Sequence, residues 1–374
     1  MESSTDSRMF EGRAFYKLGE FTYDYRKQVF AFGILACLGM ASLMAMGPDW
    51  SEAWGEGDLE SVEAISTMND AFSDDGGDSE SAQGFVYLVR HSTLNDTSEI
   101  WQQEVQDALA DFAQLADVSI EYSWETTGDE RDEFTLENED GFWAQNKVVF
   151  NMSRKDAKVL YSEHWESVEI DSQFDAWRTD KTAIEFTFDN RIQEDLVKAE
   201  LVSGPLSLII LAIVFGTLIA ALLPVGVGIL TVLSAMGVTI WLSNVTDVTQ
   251  YAVNIISLIG IGVSIDYSLF LVNRFREEMG RDPDNIRTAT AMTVATAGKA
   301  VFFSGVTVAI GLMGMLFFAN TSLPSLGIGG TLAVTIAMIY SLIVLPAVLA
   351  ILGPRINTGR KLPFSFKIEE NGED

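Results

Sequence analysis

One cysteine, two histidines and eight prolines in 374 residues exclude several kinds of protein at once. Cys37 has no second cysteine to pair with, so neither a disulfide framework nor a cysteine-based metal site is available. Cationic side chains are scarce too: 24 Lys and Arg stand against 53 Asp and Glu, a formal net charge of −29. A surface of that sign repels phosphate, which argues against a nucleic-acid partner. The sequence holds no nucleotide-binding loop, nucleophile elbow or metal-ligand cluster. Enzyme chemistry, ATP coupling, a bound metal and a cofactor are therefore not expected. The acidic runs lack the EF-hand spacing that would organise a calcium site.

What is present is segregated. Of the 53 acidic residues, 37 fall between Asp49 and Lys198. Three other stretches carry no charge: Gln28–Pro48 (21 residues), Leu201–Thr246 (46) and Ala300–Pro354 (55). A membrane-spanning helix needs roughly 20 predominantly apolar residues. These stretches hold one, two and two spans, and a further apolar segment lies between the last two. Six transmembrane helices are predicted, over Val29–Met46, Pro205–Leu223, Val225–Leu242, Val253–Val272, Ala300–Phe318 and Leu326–Leu352. Pro224 separates the second from the third, and Asn320–Pro324 the fifth from the sixth. The first span starts too deep for a signal peptide and ends without a clear cleavage site, so it reads as a retained helix.

Basic residues set the orientation. Arg8, Arg13, Lys17, Arg26 and Lys27 precede the first span, Arg274, Arg276, Arg281 and Arg287 follow the fourth, and Arg355, Arg360 and Lys361 follow the sixth. The positive-inside bias places all three clusters, and both termini, in the cytoplasm. The expected domains are a cytoplasmic and interfacial segment 1–28, helix 29–46, an extracytoplasmic domain 47–200, five helices over 201–354 with a cytoplasmic loop 273–299, and a cytoplasmic tail 355–374. Aromatics from Phe10 to Tyr25 suggest a helix lying at the cytoplasmic interface.

In the acidic domain, strands are predicted over Gly84–Arg90, Val118–Trp124, Lys147–Met152 and Thr182–Phe188. Apolar residues at helical spacing mark Ser98–Leu115 as a helix, and Arg191–Leu201 reads as helical into the second span. Ser73–Ser81 and Glu125–Asp140 read as loops. Strand, helix and strand in this order suggest an α+β unit of the split βαβ kind. Trp50, Trp54, Trp124, Trp143, Trp165 and Trp177 read as core or interfacial, or else as the lining of a hydrophobic path. His91 and His164 read as structural. Asn-x-Ser/Thr sequons begin at Asn95, Asn151, Asn244 and Asn320, all on the predicted outer side. They are compatible with glycosylation, although polar loops also collect such tripeptides by chance.

Asp266 is the one charge inside a predicted span. A carboxylate within the bilayer is costly and marks a functional site by default. Low-dielectric surroundings favour the neutral acid over the ion, so such a group can bind and release a proton. Tyr267 follows it, and Gly260 and Gly262 precede it, where small residues allow another backbone close approach. Helix packing alone would be served at lower cost by Asn or Ser. A relay for Asp266 would draw on Tyr267, Ser304, water or a group on another chain.

One helix, a large outer domain and five helices, with Gly262-x-x-x-Asp266-Tyr267 in the fourth span, resemble the N-terminal half of an MmpL-type transporter of the resistance–nodulation–division superfamily. The resemblance extends to Val214-Phe215-Gly216-Thr217, Asn273–Glu278, Val301–Ser304 and Ile351–Arg355. It implies proton-motive-force-driven export or flipping of lipids or other hydrophobic molecules across the cell membrane. It also implies a porter-like outer domain, Asp266 and Tyr267 as one of two proton-relay pairs, and Gly262 and Ser304 in support. Such transporters carry a second six-helix half with its own Asp-Tyr pair. Three readings of this sequence stand beside that pattern: a fragment, a naturally short relative, or a half whose partner is a second half-transporter chain or a further copy in a homo-oligomer. The alternatives are a non-transporting lipid-binding scaffold resembling a sterol-sensing domain, or a half resembling SecD or SecF.

Overall fold

The computed structural model describes residues 2–51, 83–128, 131, 134–318 and 322–357. Helix α1 spans Glu2–Asp24 and α2 spans Arg26–Ser42, closed by a 3-10 turn, Leu43–Met46. Then come β1 (Gln83–His91), α3 (Glu99–Ala108), β2 (Val118–Glu121), β3 (Thr135–Asn138), β4 (Gly141–Phe150), α4 (Arg154–His164) and β5 (Asp175–Thr179). The remainder is helical: α5 (Lys181–Phe215), α6 (Leu218–Ser243), α7 (Tyr251–Arg281), α8 (Ile286–Thr293), α9 (Lys299–Met313), α10 (Leu323–Ile339) and α11 (Leu345–Leu352). A π-turn joins α8 to α9 (Val294–Gly298) and another joins α10 to α11 (Tyr340–Val344). The chain divides into two compact units, Met1–Ala64 with Leu201–Asp374, and Ile65–Glu200.

Among the described residues, six helices are long and apolar enough to cross a membrane: Arg26–Met46, Lys181–Phe215, Leu218–Ser243, Tyr251–Arg281, Ile286–Phe317 and Leu323–Asn357. Their shared core includes Phe215, Leu271, Phe275, Leu345 and Leu349. α6 crosses α2 at Gly237, where a Cβ would lie 1.9 Å from the Met40 carbonyl oxygen, a contact only glycine permits.

The structure moves two of the expected boundaries. The break between the second and third spans falls at Gly216 and Thr217, and Pro224 lies inside α6. Gly216 has φ +67°, a left-handed turn that ends α5 outright, and its N–H donates to Ala212 O at 2.8 Å. A proline only removes one helical hydrogen bond, which membrane helices tolerate. The expected loop 273–299 is mostly helix as well. α7 continues to Arg281 and α8 begins at Ile286, so four residues connect them. Ion pairs of Arg274 and Arg281 with Glu277 and Glu278, at 2.5–3.0 Å, hold the polar end of α7 in helical form.

In the α+β unit the strand order is β2-β4-β1-β5, antiparallel throughout, with β3 pairing beside β2 on β4. α3 connects β1 to β2 and α4 connects β4 to β5, so each strand–helix–strand pair is split by an intervening strand. This is the split βαβ arrangement. Alternate residues of β1 and β4 (Phe85, Tyr87, Val89; Ala144, Val148, Phe150) bury one sheet face with Trp101, Val105 and Phe112 from the first helical segment and Ala157 and Tyr161 from the second. Ser153 Oγ caps α4 by accepting from Asp156 N at 3.3 Å.

The expected strand Thr182–Phe188 is instead the start of α5. Thr182, Ala183, Phe186 and Asp189 are buried together, the spacing of a helix face. β5 takes its place at the sheet edge. The expected loop Glu125–Asp140 contains β3, which forms a hairpin with β4. α4 is not predicted from the sequence, because its apolar residues (Ala157, Val159, Leu160 and Tyr161) are few and only Ala157 and Tyr161 are buried.

Candidate proton-carrying site

α7 runs unbroken for 31 residues and Asp266 is its sixteenth. At 1.5 Å per residue Asp266 lies about 22 Å along the axis from either end of the helix. Leu258, Gly262, Asp266 and Phe270 are spaced by four and form one exposed stripe, with Leu258 59% and Phe270 63% exposed. Beside it α9 exposes Phe303, Ser304, Thr307 and Val308. The Asp266 carboxyl thus stands on the outer surface of the bundle among apolar side chains. A Cβ on Gly262 would meet nothing within 4 Å, so the groove one turn above the carboxyl is open.

Tyr267 turns the other way. It is 7% exposed, and its side chain reaches Ser304 across the α7–α9 boundary. The structure therefore places Tyr267 and Ser304 next to each other beside Asp266, and leaves Gly262 as a gap one turn away.

Behind them is a set of hydroxyls the sequence reading missed. Ser264 Oγ donates to Thr231 Oγ1 at 3.0 Å, and Ser234 Oγ and Tyr340 Oη are 2.7 Å apart. Cys37 Sγ points at Leu230 O at 3.7 Å. Ser268 Oγ and Ser341 Oγ are buried with no hydrogen-bond partner. The spacing of Ser264 and Ser268 by four, inside a span, is the signal that could have found them. Thus α7 presents hydroxyls inward and a carboxyl outward.

The polar end of the bundle is tied down by arginines. Arg276 Nη1 donates to Phe215 O, the last carbonyl of α5, and Nε donates to Asn357 Oδ1, both at 2.8 Å. Thr217 Oγ1 donates to Ile356 O at 3.1 Å, so two contacts sew the α5–α6 joint to the segment after α11. Arg287 on α8 pairs with Glu20 at 2.5 Å and Asp24 at 3.0 Å on α1. The Arg287 guanidinium holds the Asp24 carboxyl below the usual carboxylate range. Among the described residues, no three Asp, Glu, His or Cys side chains converge on a metal-sized site.

The other singled-out residues lie elsewhere. Trp124 stacks on Tyr122, Trp143 on Trp177, and Trp165 packs on Phe186, three separate ring pairs. Trp54 and Asn320 lie outside the described residues. His91 Nδ1 accepts from the backbone N–H groups of Thr93 and Leu94 at 3.1 and 2.9 Å, a turn-forming role. His164 packs edge-on against Phe112.

Six apolar helices with a porter-like α+β domain between the first and second define a multi-pass membrane protein of transporter type. Comparison with known sequences narrows this class. The MMPL family model matches residues 171–364, just over half of the chain, and the chain belongs to that family. It is 41% identical over 173 residues to a putative membrane protein of Streptomyces coelicolor, 46% of this chain and 24% of that one. It is 40% identical over 178 residues to the trehalose monomycolate exporter MmpL3 of Mycolicibacterium smegmatis, 46% of this chain and 18% of that one. The same organism's MmpL11, a mycolic acid-containing lipids exporter, is 40% identical over 163 residues, covering 43% and 17%. The matched stretch thus spans a quarter or less of these relatives' own lengths.

Proposed function

We propose that this chain is one half of a proton-driven exporter or flippase for lipids or other hydrophobic molecules, with Asp266 as its proton carrier. The observation that carries the reading is the exposed carboxyl at the centre of α7, beside the Tyr267–Ser304 pair. A carboxyl facing hydrocarbon is costly, so a second helical bundle covers it in the working assembly. That bundle is a second six-helix half, and its polar groups complete the relay with Tyr267. Substrate class follows from the lipid exporters to which the chain is similar. The basic start of α2 and the basic residues of α7 and α8 face the cytoplasm, and the acidic domain stands outside the cell membrane.

One pH unit and 100 mV together supply about 3.7 kcal/mol per proton, enough for a roughly 500-fold substrate gradient per coupled proton. The test is movement of a fluorescent acyl lipid across proteoliposomes with an imposed proton gradient. Transport is expected to collapse with a protonophore. Undiminished transport after collapse of the gradient rules out the proton drive.

A further inference from the structure

The described sequons differ sharply in how free their asparagine is. At Asn244, on the C-terminal end of α6, Nδ2 donates to Gly47 O at 3.0 Å and to Ile240 O at 2.8 Å, so both amide hydrogens are used. At Asn151 the asparagine is exposed, but the sequon hydroxyl is not free. Ser153 Oγ caps α4 and donates to Asp156 Oδ2 at 2.7 Å. Asn95 is different on both counts. It opens the turn before α3, where Ser98 N–H donates to Asn95 O at 3.1 Å, and it is exposed together with Thr97. Thr97 Oγ1 donates to Asn95 Oδ1 at 2.7 Å, which polarises the amide of this exposed asparagine. Asp96 between them is buried and paired with Arg131 Nη2 at 2.6 Å, so the turn is held from below while its flanking residues point outward.

We infer that Asn95 is an N-glycosylation site, used in preference to Asn151 and Asn244. The donor is a lipid-linked oligosaccharide diphosphate presented outside the membrane. Asn95 Nδ2 forms a bond to the anomeric carbon, the carbon–oxygen bond to the diphosphate breaks, the lipid diphosphate leaves, and one amide proton passes to a base of the transferase. A polar glycan there suits a turn whose backbone is already satisfied and whose side chains are solvated.

Peptide mass spectrometry of the full chain purified from its own cells tests this. The peptide holding Asn95 is expected to carry an oligosaccharide mass that Asn95→Gln and Thr97→Ala abolish and Thr97→Ser retains. The Asn244 peptide is expected to be bare. A bare Asn95, or a glycan on Asn244 instead, overturns the assignment. The inference rests on the outer domain being extracytoplasmic, which a second measurement separates from it. Ser92→Cys labelled by an impermeant maleimide on intact cells, with Asn95 bare, removes the glycan and leaves the orientation. Absence of labelling removes both.

Discussion

The crossing of α2 and α6 yields a prediction whose size follows from geometry. A methyl group on residue 237 would lie 1.9 Å from Met40 O, 2.6 Å from its carbonyl carbon and 3.2 Å from Ala41 Cα. All three are backbone atoms, so no side chain can move aside. The helices must part by roughly 1 Å, and a gap of that size forfeits a quarter to a half of each dispersion contact along the crossing. Gly237→Ala is therefore expected to cost about 1–3 kcal/mol, a fall of about 1–4 °C in the melting temperature of the detergent-solubilised protein. Gly39→Ala, also on α2, is the matched control, since nothing lies within 4 Å of its added methyl. It is expected to be neutral or stabilising by up to about 1 kcal/mol through helix propensity. Circular dichroism melts of the two variants decide the matter. A Gly237→Ala protein melting with wild type, or both variants falling equally, refutes the close crossing.

Further predictions follow from the same contacts. Arg276→Gln keeps at most one of two hydrogen bonds and should cost about 2–3 kcal/mol, read as a lower unfolding midpoint and faster proteolysis at the α5–α6 joint. Ser304→Ala removes the partner of Tyr267 and should slow transport by about fivefold, the worth of one hydrogen bond near 1 kcal/mol, with insertion unchanged. Tyr87 lies under the sheet, and burial pushes its phenol up to about 12. The folded state therefore favours the neutral phenol, so its contribution is intact below pH ~10 and is lost as pH rises from about 10 to 12. Tyr87→Phe should flatten alkaline unfolding in that window while leaving neutral-pH stability within about 1 kcal/mol, because Tyr87 Oη is buried without a partner.

The sequence showed much of this architecture through charge alone. Uncharged stretches locate the spans because hydrocarbon tolerates no stray ion, and Asp266 stands out for the same reason. Tyr267 and Ser304 are singled out beside it as polar groups within the spans, and the family resemblance points to the same two residues. Other features depend on pairings that no local pattern reveals. Thr182–Phe188 is helix rather than strand because Ala183 and Phe186 meet the sheet's helical layer, and β5, which no pattern announced, supplies the edge strand. Gly216 rather than Pro224 ends the second span because a left-handed residue stops a helix where a missing N–H does not. The inward hydroxyls Ser264 and Ser268 read as ordinary span residues until Thr231, Ser234 and Tyr340 are seen beside them. The outward direction of Asp266 is likewise a property of helix packing.

The central claim is that Asp266 carries the transported proton. The most direct measurement is proton uptake linked to lipid movement in proteoliposomes, using an internal pH-sensitive dye, for wild type, Asp266→Asn and Asp266→Glu reconstituted to equal density. Lipid-dependent acidification is expected in wild type, at reduced rate with Glu and at background with Asn, the Asn protein remaining folded and inserted. Wild-type rates of lipid movement and acidification in Asp266→Asn would contradict the account and place the proton elsewhere.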